Sequence, residues 1–217
     1  RVLVLERAES AYPLPRAVHL DDEVMRVFQS IGLADAINDM VRVNVGMHFV
    51  DKDQNMLVDW SRPQSIGPYG WYPSYRFHQP DLEVLLRQAV QSHPNITVKT
   101  EMELLHLGQK PDHVSLQCLS GDSGLTPRMT ASYVVGCDGA RSSVRQAMGV
   151  SMENLGFRQS WLVVDVLLYR EMPELGDHSV QFCDAERPMT YCRSPKNRRR
   201  WEITMQAGES AGEMTDP

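Results

Sequence analysis

The sequence predicts an α/β chain in two parts, a body built on a parallel sheet and a second domain built on a mostly antiparallel sheet. Three observations predict it. The first is Val134-Val135-Gly136-Cys137-Asp138-Gly139-Ala140-Arg141-Ser142-Ser143-Val144-Arg145, where an apolar run stops at Asp-Gly and a helix opens. Such a strand end puts a carboxylate and a flexible turn at the carboxyl edge of a sheet, where open α/β sheets bind ligands. Gly139 allows positive φ or close backbone approach, and Ser142 or Ser143 can cap the helix. Taken alone, the same letters also suit an ordinary turn. The second observation is Arg1-Val2-Leu3-Val4-Leu5-Glu6, a short apolar strand ending in an acid. In Rossmann-like dinucleotide-binding units an acid at that place accepts hydrogen bonds from ribose hydroxyls. The third is the dominance of strand patterns from Gln159 onward, with few helix signals, after an alternating α/β body.

The elements follow in order. Glu9 to Pro15 is a polar, proline-containing loop. Asp21 or Asp22 caps a helix with apolar residues at Val24, Val27, Phe28 and Ile31, and Gly32 closes it. Gly46 to Val50 and Met56 to Trp60 alternate about Asp51-Lys52-Asp53-Gln54-Asn55, which predicts a hairpin. Gly67 to Tyr75 is aromatic and rich in Gly and Pro, an expected irregular wall. Pro80 suits the first turn of a helix whose apolar stripe is Leu82, Leu85, Leu86, Ala89 and Val90, ending near His93-Pro94. Strands are expected at Ile96 to Val98, Met102 to Leu107, Val114 to Leu119 and Tyr133 to Val135, then a short helix from Arg141 to Met148. The tail adds strands at Trp161 to Leu168, Val180 to Cys183, Met189 to Cys192 and Trp201 to Met205.

Composition excludes several classes. With 217 residues and 42% hydrophobic content the chain can bury a sizeable core. A net charge of -6 argues against broad nucleic-acid binding, and no apolar run approaches the roughly 20 residues that span a bilayer. Arginine outnumbers lysine 18 to four, which suits anchoring phosphates and carboxylates but equally reflects a GC-rich genome. Cys118, Cys137, Cys183 and Cys192 show no C-x-x-C spacing. Cys137 and Cys183 sit in apolar strand patterns, so reduced thiols in a cytoplasmic protein are expected. The seven histidines are scattered without an H-x-x-x-H pair, so no metal site is expected.

Taken together, the pieces resemble the class A flavoprotein aromatic hydroxylases. Pro15-Arg16-Ala17-Val18-His19-Leu20-Asp21-Asp22-Glu23 is similar to the segment after that family's ribose-binding acid. Phe77-His78-Gln79-Pro80-Asp81-Leu82-Glu83 is similar to the start of its helix beside the flavin, and Val135 to Ser142 to its Asp-Gly motif. Trp161-Leu162-Val163-Val164-Asp165-Val166 and Arg199-Arg200-Trp201-Glu202-Ile203 resemble substrate-domain strands of the 3-(3-hydroxyphenyl)propionate hydroxylase subgroup.

The resemblance implies an incomplete Rossmann-like FAD-binding domain at 1–42 and 78–155. It implies a substrate domain at 43–77 and 156–217. It also implies FAD as cofactor, NADH or NADPH as co-substrate, and insertion of one oxygen atom from O2 into a small phenolic substrate ortho to its hydroxyl. Of the site residues, Glu6 would contact the ribose, with a solvated strand-end acid as the alternative. Arg16 would reach the cofactor from the following loop, or lie on the surface. Gln79 would hydrogen-bond the cofactor or cap its helix. Asp138 and Gly139 would hold the ribityl and phosphate region, Asp138 acting through hydroxyls, water or an arginine such as Arg141.

No phenol-activating base stands out. His48, His78 and Tyr75 are conceivable, and Trp71, Tyr72, Tyr75 and Met189 are candidates for either an aromatic pocket or core packing. Arg198-Arg199-Arg200 reads as a solvated edge. The family's Gly-x-Gly-x-x-Gly loop and its later Gly-Asp motif are not found within the sequence, since neither Gly121-Asp122 nor Gly176-Asp177 follows an apolar strand and opens a helix. The expectation is therefore a chain short at both ends that binds FAD weakly or not at all by itself. A hydroxylase of another phenol or polyketide and a non-catalytic fragment are the alternatives, and homo-oligomerisation is left open.

Overall fold

The structure is a computed structural model, and it describes residues 1–215. In chain order the elements are β1 (Val2–Leu5), β2 (His19–Asp21), α1 (Asp22–Ser30), α2 (Ala34–Asn38), β3 (Arg42–Val43), β4 (Gly46–Val50), β5 (Met56–Ser61), β6 (Ser74–Arg76) and α3 (Gln79–Ser92). Then come β7 (Ile96–Lys99), β8 (Met102–Gln109), β9 (Val114–Ser120), β10 (Gly124–Leu125), β11 (Met129–Ala131), α4 (Ser143–Ala147), β12 (Trp161–Leu167), β13 (Ser179–Phe182), β14 (Met189–Arg193), β15 (Arg198–Thr204) and α5 (Ala211–Thr215). The chain divides into two compact units, Arg1–Tyr12 with Glu83–Phe157 and Pro13–Leu82 with Arg158 onward.

The first unit carries the parallel pairing. β1 pairs in parallel with β7, from Val2 beside Ile96 to Leu5 beside Lys99. The next residue is fixed by the same ladder: the Glu6 N–H donates to the Lys99 carbonyl, and the Glu6 carbonyl accepts from Met102 N–H. β8, β9, β10 and β11 form an antiparallel sheet around β9. Its core is Met102, Leu116 and the fully buried Cys118, with Leu5, Leu104, Met129 and Val134 packed against it. Each large apolar side chain so buried contributes roughly 1.5–3 kcal/mol.

The second unit holds a six-stranded sheet in the order β12-β15-β14-β13-β4-β5, antiparallel throughout except where β13 runs parallel to β4. A smaller sheet, β2-β6-β3, stands with α1 and α2, whose Met25 and Ile37 are completely buried. Asp21 caps α1 by accepting from Val24 N–H, and Gly32 terminates it at φ +74°.

Several local expectations change. The buried face of α1 is Met25 with half-buried Phe28, whereas Val24, Val27 and Ile31 are exposed. Met25 and Phe28 are three apart and lie on one helix face, and the flexible methionine fills the gap there. Tyr133 to Val135 is no strand: among the described residues nothing pairs with it, and Tyr133 and Val135 are exposed. Ser74-Tyr75 belongs to buried strand β6 rather than an irregular wall, because it pairs with β2 and β3 on both sides. All four cysteines are free, but the buried ones are Cys118 and Cys192, with Cys137 and Cys183 exposed.

The largest correction concerns Arg198-Arg199-Arg200. These residues lie in β15, between β12 and β14, and Arg199 and Arg200 are buried. An interior strand has no solvated edge, so its charges must find partners within the sheet.

Candidate functional site

In the first unit, Glu6 stands at the carboxyl end of β1, half-buried, with Oε1 accepting from Ala8 N–H at 2.8 Å. Asp138 is exposed and bonded through both oxygens. Oδ1 accepts from the Ser142 hydroxyl at 2.5 Å and Oδ2 from Val144 N–H at 3.1 Å. Ser142 in turn caps α4 by accepting from Arg145 N–H at 3.0 Å. The Ser142 hydroxyl, with the Val144 N–H, holds the Asp138 carboxyl below the usual carboxylate range.

The two glycines of this turn do different work. Gly139 has φ +79° with open space where a side chain would stand, so only backbone conformation demands glycine. A Cβ on Gly136 would lie 2.7 Å from Val144 Cβ, so that glycine lets the strand exit pack on α4.

Replacing Asp138 with Ala should cost about 1 kcal/mol at neutral pH, the size of a lost helix cap. Because the folded carboxyl titrates below its unfolded value, this stabilisation is complete above the ordinary carboxylate pKa and fades as pH falls through the lowered one. Urea titrations of both proteins should therefore converge in acid. An equal gap at neutral and strongly acidic pH would contradict the assignment.

In the second unit, Gln79 performs a task outside the expected pair. Its Oε1 accepts from Arg16 N–H at 2.8 Å and Ala17 N–H at 2.9 Å, clamping a loop more than sixty residues earlier in the chain. The Arg16 side chain is exposed. Arg200 holds the same loop one residue earlier, at Pro15. Its Nε and Nη2 donate to the two oxygens of Asp165 at 2.9 Å each, and Nη2 also donates to the Pro15 carbonyl. A cavity of about 270 Å³ lies beside this loop, bounded by Leu14, Pro15, Phe77, His78, Val166 and Arg199.

Gln79→Ala removes the shared acceptor and should cost about 1 kcal/mol, while Gln79→Glu keeps it. Hydrogen exchange at Arg16 and Ala17 should accelerate in the first variant only. Unchanged exchange would mean that the clamp does not hold the loop.

The base candidates separate. His78 Nδ1 lies 2.9 Å from Asp81 Oδ1, within the first turn of α3. Tyr75 is buried, its hydroxyl accepts from Tyr72 N–H, and burial raises its pKa. His48 sits in the sheet opposite Asp59, 3.7 Å from its carboxylate, with the His178 ring stacked on it. His48 and His178 are far apart along the sequence but adjacent in space.

Sequence reasoning missed Asp165 with Arg200, although a lone acid within the apolar run Leu162 to Val166 signals a required cation. It also missed Arg76, buried in β6, whose Nη2 donates to Ser179 Oγ at 2.6 Å. No local pattern marks Arg76, because its burial comes from strands on both sides.

A short parallel pairing ending in an acid, a capped Asp-Gly turn and a mostly antiparallel second sheet form a two-part α/β architecture that suits a nucleotide-binding protein. The match of residues 1–217 to the FAD binding domain family makes the membership plain: the chain belongs to that family. It is 34% identical over 216 residues to the 3-(3-hydroxy-phenyl)propionate/3-hydroxycinnamic acid hydroxylase of Burkholderia cenocepacia (strain HI2424), covering 99% of this chain and 39% of that protein. It is 32% identical over 218 residues to the probable NADH-specific resorcinol 4-hydroxylase of Rhodococcus jostii (strain RHA1), covering 100% of this chain and 40% of that one. The chain thus spans about 40% of the length of the curated relatives it matches.

Among solved structures, p-nitrophenol 4-monooxygenase PnpA from Pseudomonas putida DLL-E4 superposes with a TM-score of 0.85 at 17% identity, covering 99% of this chain and 54% of that one. Aklavinone-11 hydroxylase, solved with FAD and aklavinone, gives 0.76 at 21%, covering 99% and 43%. These two likenesses show the fold. No helix among the described residues is long and apolar enough to cross a membrane.

Proposed function

We propose that this chain is part of an FAD-dependent, NAD(P)H-using monooxygenase that hydroxylates a phenolic aromatic acid ortho to its hydroxyl. The proposed reaction is conversion of 3-(3-hydroxyphenyl)propionate to the catechol. One observation carries the reading: similarity at 32–34% identity to proteins named as hydroxylases of phenolic compounds runs through essentially the whole chain. Small aromatic substrate, O2 and a cytoplasmic setting belong to the same reading.

The residues fit the cofactor in their chemistry. Glu6 offers a carboxylate acceptor for ribose hydroxyls at the end of a parallel strand. Arg16 offers an exposed guanidinium suited to phosphate oxygens, on a loop that Gln79 and Arg200 immobilise. Asp138 already accepts through both oxygens, so it shapes the Gly139–Ser142 turn instead of facing phosphate as a bare charge. FAD, when bound, would accept a hydride from the nicotinamide and pass the electrons to oxygen. The protein's part is to orient the ring, exclude water and take up the phenol proton.

A second reading, hydroxylation of resorcinol, is favoured by the Rhodococcus relative, which matches over the entire chain. Oxygen uptake by the full-length protein with FAD, tested with each nicotinamide against both phenols, separates the two. A catechol formed from 3-(3-hydroxyphenyl)propionate supports the first reading, and turnover of resorcinol alone supports the second. Failure to hydroxylate any phenol with either nicotinamide overturns both.

A further inference from the structure

His48, Asp59 and His178 come from three segments of the sequence, and the register of the six-stranded sheet brings them together. His48 on β4 lies directly opposite Asp59 on β5. β13 runs parallel to β4 with Val180 beside His48. His178 stands two residues before Val180, in the bend that leads into β13. The two imidazole rings stack with centroids 3.9 Å apart and planes 15° from parallel. His48 Nε2 is 3.7 Å from Asp59 Oδ1, and one ligand atom from each residue can be chosen so that all three lie within 4.8 Å of one another.

This is the donor set of a metal centre. Ligand atoms bound to one zinc at about 2.0–2.2 Å in a tetrahedron stand roughly 3.5 Å from each other. Closing the present cluster onto an ion therefore needs shifts on the scale of an ångström, and the stacked rings must also turn so that their in-plane nitrogen lone pairs converge. Both histidines are half-buried and Asp59 is exposed, so an ion can enter from solvent. The neighbouring acid, Asp177, is engaged elsewhere, 2.7 Å from Arg42 and 3.5 Å from Arg193. Two imidazoles and one carboxylate suit borderline first-row ions rather than calcium or magnesium, which prefer oxygen-only shells.

We propose that His48, Asp59 and His178 bind a divalent first-row transition-metal ion, zinc foremost, which cross-links β4, β5 and β13. Three protein ligands leave one coordination position for water. The site is independent of the hydroxylase reading, because its ligands and its test involve neither flavin nor phenol.

Calorimetric titration of chelator-treated protein with zinc chloride tests it, and the visible absorption of cobalt(II) reports the coordination. The expected result is one equivalent of zinc bound at about micromolar Kd or tighter, with a rise in Tm. His48→Ala and His178→Ala should abolish binding, and Asp59→Asn, which removes a direct ligand, should weaken it by more than the roughly ten-fold that loss of an outer-shell partner costs. Asp59 is exposed, so its variant keeps the fold even if a histidine variant does not. Zinc affinity weaker than about millimolar overturns the proposal. So does binding that all folded variants retain unchanged, which would move the ion to other ligands such as the exposed thiols. Equal affinity for calcium overturns the assigned ion class.

Discussion

Asp165→Ala should lower the unfolding free energy by about 3 kcal/mol, at the lower end of the cost of breaking a buried ion pair from one side. The reason is asymmetric burial. The Arg200 side chain is 3% exposed, while Asp165 retains 29%. Truncating the acid leaves a guanidinium in the sheet interior with, among the described residues, Glu202 at 3.5 Å as its remaining ion-pair partner. Glu202 can compensate in part, which keeps the expected value at the low end. Asp165→Asn, which preserves the shape and one acceptor, should cost less.

Replacing both partners with apolar residues of similar volume should restore much of the loss, because an uncompensated charge is worse than no charge. Restoration should be incomplete, since the Pro15 carbonyl also loses its Arg200 donor. Urea unfolding of the single and double variants gives the values. A loss under about 1 kcal/mol for Asp165→Ala would mean that Arg200 is solvated in practice, as for a surface pair. The double variant, which removes the Arg200 donor, should loosen the chain at Pro15, while the Gln79 clamp on Arg16 and Ala17 persists.

Gly46→Ala should cost about 3 kcal/mol or more. Gly46 opens β4 at φ +136°, a conformation that side-chain-bearing residues rarely adopt. An added Cβ would lie 2.5 Å from the Trp60 carbonyl oxygen and 2.8 Å from Ser61 Cα. Both atoms are backbone of the paired strand β5, so relief requires the strands to separate. Gly139→Ala is the control. It meets the same kind of positive-φ penalty, about 1–2 kcal/mol, with no atom within 4 Å of the new methyl. Thermal unfolding of both variants separates conformational strain from collision. Equal losses would show that β5 yields freely at Trp60 and Ser61.

Much of this fold is legible along the chain because it is local. Asp21 and Ser142 cap the helices that their positions suggest, and Pro80 lies in the first turn of α3. The hairpin around Asp51 to Asn55 forms where expected, because turn chemistry needs only neighbours, but its burial does not alternate: β5 is exposed along its whole length. Val134-Val135 looked like a strand for the same reason and is not one, because β structure requires a partner that propensity alone does not supply. The family is likewise carried by short segments whose order survives in the sequence.

Local pattern thus carries the α/β class, the helix starts at Asp21 and Ser142, the positions of most strands, and the motifs that mark an FAD binding domain. Which polar groups meet is set by long-range closure. Gln79 grips Arg16 and Ala17, Arg200 closes on Asp165 and Pro15, and His48 meets Asp59 and His178. Each meeting depends on strand register or on closure of a long loop. A shift of one residue in pairing sends every side chain to the opposite face, and local pattern alone does not choose among such registers.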